Sequence, residues 1–381
     1  MATATTIDIP TRIVFGVGTI AQLGKEAKQL GKKAIIVTYP DIRKVGLLDR
    51  IIADLKANGV GAVVFDGVEP NPRSSTIDRG VDLARKEKID LVIGLGGGSA
   101  MDTAKGIAIA CPGNDSVWVY VLQGLAQPKG PVPPMITVPT MAGTGSEINT
   151  ISVVTHWETH EKRAWVSPFV QAKVALIDPE ITTTVPPNQT KAGAVDSFCH
   201  VVDVYVTDGT PTIITDGIRE ATMKAVVKYL PIAMANPKDL EARTNLSWAS
   251  TLSMSHLMSL GSGNGAMTLH GVEHALSGYY DVTHGCGLAA LLPAWMKFTQ
   301  PARKERFEQL GKNVFGKKDG IKATEEWLKS VEMNLRLRDL GCELEKADEI
   351  ANLAIKSSPW IANHPTPLDA PNIAKIYRDS Y

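Results

Sequence analysis

Short, nearly unbroken apolar runs alternate with amphipathic stretches over roughly the first 180 residues. Arg12–Phe15, Ala34–Thr38, Gly61–Phe65, Asp90–Leu95, Val117–Val121 and Met135–Val138 are rich in β-branched residues and predict strands. Between them, Ile20–Leu30, Leu47–Asn58 and Ser75–Glu87 repeat apolar residues three and four apart, the spacing of helices laid on a sheet. Near-continuous apolar strands separated by helices imply a mostly parallel sheet covered on both faces. Val153–Val154 and Ala164–Val166, parted by a polar run, predict an antiparallel excursion.

From about residue 185 the pattern changes. A Pro-Pro pair ends the alternation, strand-like runs nearly vanish, and helical spacing covers Ala192–Val206, Asp216–Tyr229, Leu240–Leu260, Arg303–Leu310, Ile321–Leu337 and Glu345–Ile355. We therefore expect an α/β domain with a Rossmann-like sheet over 1–184 and an all-α domain over 185–381. The proline-rich QPKGPVPP reads as a surface loop.

Composition narrows the function. Forty basic residues balance forty acidic ones, so nothing marks a nucleic-acid or acidic-membrane surface. No apolar run is long enough to span a bilayer, and the N-terminal residues lack a secretory pattern. Four scattered cysteines, Cys111, Cys199, Cys286 and Cys342, make no disulfide framework and suggest a reducing, cytoplasmic setting.

Two loops carry phosphate-binding chemistry. GLGGGSAMDTAK at 94–105 follows an apolar strand and opens a helix, so glycines admit a ligand to the backbone while the helix start offers free N–H groups and positive potential. PTMAGTGSE at 139–147 places Thr140, Thr144 and Ser146 after the strand at 135–138, where open α/β sheets bind ligands. Together they favour a nucleotide over a pair of structural turns.

A metal argument comes from the histidines. The chain has eight, and three lie within residues 263–287 together with six glycines and a cysteine. Asp196 and His200 are four apart, as are His270 and His274, so each pair projects from one helix face; His284 follows ten residues on. A carboxylate with imidazoles suits Fe(II), Zn(II), Mn, Co or Ni. Cys199 reads as packing, Cys286 as a lesser candidate for ligand or pocket residue, and His256 as packing. His156, His160 and His364 read as solvated.

The motifs GGGSAMDTAK, PTMAGTGSE, DPE, AGAVDSFCH and HGVEHALSGYYDVTHG, in this order, resemble the iron-containing (group III) alcohol dehydrogenases, with HALSGYYDVTHG closest to their butanol-dehydrogenase-like branch. The resemblance spans most of the chain but leaves the last 80 residues nearly unmarked. It implies metal ligation by Asp196, His200, His270 and His284, with His274 beside the nicotinamide as the catalytic proton relay. It puts the cofactor pyrophosphate on Gly96, Gly97, Gly98 and Ser99, and the ribose and nicotinamide near Asp102, Thr140, Thr144, Lys162 and Asp178. The ion implied is Fe(II), or zinc or another divalent metal in its place.

The turn after the strand at 34–38 departs from the family. It reads Tyr39-Pro40-Asp41-Ile42-Arg43, in which Asp41 opposes a 2′-phosphate while Arg43 and Lys44 attract one. NAD or NADP is implied, NAD by a small margin, with Tyr39 and Asp41 at the adenosine end. The expected reaction is hydride exchange between a short-chain primary alcohol or aldehyde and the nicotinamide, with Tyr279, Tyr280, Phe169, Phe198 and Met267 as an apolar substrate wall. The alternatives are a polyol or glycerol dehydrogenase on the same scaffold, or a non-catalytic nucleotide-binding relative. A homo-oligomer, with an N-terminal edge strand as contact, is also implied.

Overall fold

The computed structural model describes residues 8–262 and 265–381. The first seven residues, part of the N-terminal reading above, and Gly263 and Asn264 of the histidine-bearing stretch lie outside it.

The N-terminal part runs β1 (Arg12–Phe15), α1 (Leu23–Leu30), β2 (Lys33–Val37), α2 (Leu47–Ala57), β3 (Gly61–Phe65), α3 (Ser74–Lys86), β4 (Leu91–Gly96), α4 (Gly98–Ala110), α5 (Val117–Leu122), β5 (Met135–Pro139), β6 (Ile151–His156), β7 (Glu161–Val166) and β8 (Val174–Ile177). Six strands form one parallel sheet in the order β1-β8-β5-β4-β2-β3. Its two faces are buried in separate clusters: Ile35, Val92 and Ile107 on one side, Ile36, Ile93 and Leu48 on the other. A strand buried on both faces has no polar alternation, which is why these runs read as continuously apolar.

The antiparallel excursion is a separate ribbon, β6 with β7, in which Val153 faces Ala164. Residues 127–134 form no helix or strand. One expected strand is a helix: Val117–Val121 lies in α5, capped by the Ser116 hydroxyl, which accepts from the Trp118 N–H. Val117, Tyr120 and Val121 are buried while Val119 and Leu122 are exposed. That inward spacing of three and four is helical, and packing overrides the β-propensity of valine and tyrosine. Conversely, β8, which none of the expected strands covers, fills the sheet between β1 and β5.

The C-terminal part is helical: α6 (Pro187–Thr207), α7 (Ile213–Ala235), α8 (Leu240–Ser253), α9 (Thr268–Tyr280), α10 (His284–Leu310), α11 (Gly320–Ser330), α12 (Ala347–Ser357) and α13 (Ala370–Asp379). From Thr190 to Thr207 every residue of α6 is buried, as befits a helix surrounded by others. It packs on α7, α8, α9 and α10 around Phe198, Tyr205, Leu246, Leu288 and Trp295. Two helices end earlier than their apolar spacing suggests. α8 stops at Ser253 before a short 3-10 turn at His256–Met258, and α11 stops at Ser330. α10 begins well before Arg303. Pro293 and Pro301 obscured it in the sequence, and the chain kinks at Arg303 after the second proline. Among the described residues no helix is long and apolar enough to cross a membrane.

Candidate active site

A cleft of about 680 Å³ opens between the sheet and the helices, lined from one side by Gly98, Ser99, Asp102, Thr144 and Lys162 and from the other by His200, His270, His274 and His284.

The sheet side is built on α4. This helix starts at the end of β4, so its first-turn amides face the cleft at the carboxyl edge of the strands. A Cβ on Gly98 would come within 2.4 Å of the Thr144 methyl, so only glycine lets the two loops meet. Asp102 accepts from the Ser146 hydroxyl at 2.7 Å and the Val153 amide at 2.9 Å. Burial raises its pKa, while Lys105, Ser146 and Val153 offset part of that rise.

Behind it lies a group the sequence reading missed. Lys105, fully buried, donates to the Ser146 carbonyl and hydroxyl, Asn149 Oδ1 and the Ile151 carbonyl at 2.6–3.0 Å. It ties the loop after β5 to α4, and burial lowers its pKa to about 8.

Tyr39, Gly96 and Thr140 form a neighbouring group outside the cleft lining. The Thr140 amide donates to the Gly96 carbonyl, and a Cβ on Gly96 would come within 2.6 Å of the Ala100 Cβ and 3.4 Å of the Tyr39 ring. Gly97 faces Met141. Asp41 is exposed and paired with Lys44 at 2.8 Å. Asp178 lies apart from the cleft lining: its carboxylate accepts from the amides of Ile20 and Glu180 and holds the turn after β8.

The helical side starts from α6. Asp196, His200 and Asp203 are four and then three residues apart, so one face carries all three. His270 projects from α9, and His284 is the first residue of α10. Around Asp196 Oδ1 stand His200 Nδ1 at 3.4 Å, His284 Nε2 at 3.6 Å and His270 Nε2 at 3.7 Å. Ligand atoms of Asp196, His270 and His284 all lie within 4.8 Å of one another; His200 falls outside that mutual range, its ring stacked on His270 at 4.3 Å.

Asp196 Oδ1, His200 Nδ1 and His270 Nε2 are buried without a hydrogen-bond partner. Unpaired buried polar atoms cost roughly 1–3 kcal/mol each, so three converging ones call for a shared partner. Bonds of about 2.0–2.2 Å to a tetrahedral ion would set its ligands about 3.3–3.6 Å apart, close to the distances of the three imidazole nitrogens from Asp196 Oδ1. The donor set fits a borderline divalent cation.

Two carboxylates orient the imidazoles, and neither was named from the sequence. Asp203 accepts from His270 Nδ1 at 3.1 Å and also from the backbone amides of Thr268 and His270, capping α9. Glu273, fully buried, accepts from His284 Nδ1 and from the Ser277 hydroxyl. The available signals were position on a ligand-bearing face for Asp203 and a place inside HGVEH for Glu273.

Charge on the rings follows from their surroundings. Burial lowers the His200 pKa to about 3. For His270 burial acts in the same direction, but Asp196 and Asp203 outweigh it and push the value up to about 9. His274 is held neutral, well below the usual histidine range, by burial and by the nearby Lys162 cation. Its Nδ1 has no partner, and its ring lies 5.5 Å from His284 and 6.0 Å from Trp360.

Glycines let these helices close. A Cβ on Gly285 would sit 2.1 Å from the Ala192 carbonyl oxygen, so α10 meets α6 at backbone contact.

Several expected residues stand elsewhere. Of the expected apolar wall, only Met267 lines the cleft. Phe198 packs with Trp327 and Phe315 in the helical core, Tyr279 and Tyr280 pack on each other, and Phe169 is half exposed. The apolar lining of the cleft includes Val121, Leu122, Val153, Ala164, Met267 and Trp360. His364 is buried, not solvated: its ring packs near Trp295 and Phe298, with Nε2 3.0 Å from the Thr299 hydroxyl. His156 and His160 are partly buried, beside Trp118 and Tyr279, and His256 is half-buried. All four cysteines are free thiols, Cys199 is buried, and Cys286 lies outside the cleft lining.

Comparison with known proteins gives this geometry its setting. Residues 10–179 match the model of the iron-containing alcohol dehydrogenases, and residues 190–381 match that of the Fe-containing alcohol dehydrogenase family, C-terminal. The chain is 36% identical to NADH-dependent butanol dehydrogenase A of Clostridium acetobutylicum, over 98% of each chain. It is 31% identical to 1,3-propanediol dehydrogenase of Citrobacter freundii, again over 98% of each. The crystal structure of NADH-dependent butanol dehydrogenase A from Thermotoga maritima superposes with a TM-score of 0.93 at 33% identity, covering 98% of both chains. A parallel-sheet domain, a helical domain and a carboxylate–imidazole cluster in the cleft between them accompany matches along nearly the whole length, and this protein therefore belongs to the iron-containing alcohol dehydrogenase family of oxidoreductases.

Proposed function

We propose that this protein is an NAD-dependent, metal-dependent dehydrogenase interconverting short-chain primary alcohols and aldehydes, with a divalent cation, iron first, held by Asp196, His200, His270 and His284. The observation that carries the reading is one buried carboxylate oxygen with three imidazole nitrogens 3.4–3.7 Å away, in a cleft opposite a glycine-rich helix start. We take 1–184 as the nucleotide-binding unit, 185–381 as the metal-binding unit and the cytoplasm as the setting.

When bound, the cation supplies Lewis acidity that lowers the pKa of an alcohol hydroxyl by several units, and the dinucleotide supplies the hydride acceptor. The chain's own residues do the rest. The amides of Gly97, Gly98 and Ser99 at the start of α4 hold the pyrophosphate, and Thr140 and Thr144 flank it. Asp102 and Lys162 frame the nicotinamide end. Bringing both reactants into one cleft is worth up to roughly 7–11 kcal/mol of barrier. His274, in the cleft lining with an unpaired Nδ1, is the group we assign to relay the hydroxyl proton.

NAD is favoured over NADP by the turn after β2. Its cations are already engaged: Lys44 pairs with Asp41, and Arg43 lies 3.5 Å from Asp49 and 3.7 Å from Asp66. A 2′-phosphate would compete with those carboxylates and meet Asp41. The apolar wall favours unbranched alcohols over polyols. Relatives named for butanol and for 1,3-propanediol, a diol, support an alcohol substrate, and the lining alone carries the preference for linear monoalcohols.

The test is elemental analysis of the purified chain, then nicotinamide absorbance with NAD or NADP against ethanol through butanol and glycerol. Stoichiometric divalent metal and NAD reduction with linear alcohols are expected. Preference for glycerol would favour the polyol reading, and bound nucleotide without turnover a silent relative.

A further inference from the structure

A continuous polar chain crosses the cleft from the sheet domain to a candidate metal ligand. It starts at Asn71, buried in the loop between β3 and α3. The Asn71 amide donates to Asp281 Oδ1 at 3.0 Å and to the Val282 carbonyl at 3.1 Å, at the turn joining α9 to α10. Asn71 Oδ1 accepts from Lys162 Nζ at 2.8 Å, and that nitrogen lies 4.0 Å from the Glu273 carboxylate, which in turn accepts from His284 Nδ1.

The backbone at both ends of the bridge is left-handed. Asn71 has φ 50° and Asp281 φ 57°, the left-handed region that asparagine and aspartate tolerate best after glycine. Arg73 adds a second contact to Asp281 at 3.1 Å. The turn held this way leads within three residues to His284, the first residue of α10.

We infer that Asn71 is a positioning residue: through Asp281 and Lys162 the sheet domain fixes the turn and the Glu273 carboxylate that aim His284, so affinity for the divalent cation depends on a domain that supplies none of its ligands. This rests on the ligand set proposed above. Partners that orient metal-binding imidazoles typically change metal affinity 10- to 100-fold when removed.

The variants Asn71→Gly and Asp281→Gly remove the side chains while glycine keeps the left-handed backbone without strain. The full chain, stripped of metal, is titrated with cobalt(II) in competition with a chelator, and its thermal midpoint is recorded without metal. Each variant is expected to weaken cobalt binding about 10-fold, and the double variant by less than the product of the single effects, because the two residues share one bridge while each keeps a contact of its own. Wild-type affinity in both single variants would overturn the inference, as would a lowered midpoint with unchanged affinity, which marks a merely structural contact. Asp196→Ala separates the two readings. If it abolishes cobalt binding while Asn71→Gly does not weaken it, the ligand set stands and this inference alone fails. A wild-type chain that binds no cobalt overturns both.

Discussion

His270 Nδ1 lies 3.1 Å from the Asp203 carboxylate, which also receives the backbone amide of His270 itself. One side chain therefore caps α9 and turns the ring so that Nε2 faces Asp196. Replacing Asp203 with Asn keeps the shape but removes the charge that favours this tautomer. Metal affinity is expected to fall about 10- to 100-fold, measured by chelator competition. Unchanged affinity would mean that His270 is oriented by packing alone.

His270 and His274 are one helical turn apart, yet they are assigned different work. His270→Ala should remove metal and activity together. His274→Ala should leave metal bound and slow turnover by about 10²- to 10⁴-fold, the usual range for a lost general acid–base. Full metal content in His270→Ala would undo the ligand assignment, and wild-type turnover in His274→Ala would undo the relay.

The rings also predict a pH signature. The folded pKa of His270, about 9, exceeds its unfolded value of about 6.5. Its contribution to the metal-free protein is complete below about pH 6.5 and is lost as pH rises through 9. His200, lowered to about 3, behaves oppositely: its contribution is present above about pH 6.5 and lost as pH falls through 3. Metal binding at pH 7 must displace the His270 proton, so the logarithm of apparent affinity should climb by about one per pH unit between 7 and 9. Calorimetry in buffers of different ionisation heat counts that proton, and no release at pH 7 contradicts the assignment.

Lys105 is the only cation bonded inside the group formed by Asp102, Ser146 and Asn149 among the described residues. Lys105→Met keeps the volume but leaves the carboxylates of Asp102 and Glu147 buried without that countercharge. A loss of about 3–5 kcal/mol in unfolding free energy is expected from denaturant titration. A loss under 1 kcal/mol would show that both acids are already neutral.

Trp360 lines the cleft 6.0 Å from the His274 ring, its Nε1 donating to the Met267 carbonyl at 3.0 Å, and under the proposed function it bounds the alcohol chain. In Trp360→Ala the ratio of kcat/KM for hexanol over ethanol is expected to rise about 10-fold or more, since one methylene in an apolar pocket is worth roughly 1–3 kcal/mol. An unchanged ratio would place chain-length selection on another wall.

Much of this molecule was readable one segment at a time. Buried parallel strands announce themselves by unbroken apolar runs, and the helical half by its spacing of three and four. The i, i+4 pairs Asp196/His200 and His270/His274 share a face because a helix turns every 3.6 residues, whatever surrounds it. Where tertiary packing competes with local preference the reading failed. Val117–Val121 is helical because α5 buries one of its faces, and α10 runs through two prolines within a packed helical core.

The sequence alone determined most of the element types, the two chemistry-bearing loops and which histidines pair on which helix, because these depend on neighbours a few residues away. Tertiary structure decided that Asp203 and Glu273 orient the rings, that Lys105 ties two loops together, that Trp360 from the unmarked C-terminal segment walls the cleft, and that Asn71 reaches Asp281 across 210 residues of chain. Such contacts leave no local period to read. They arise only when separate hydrophobic cores close against each other and every buried polar atom must find a partner.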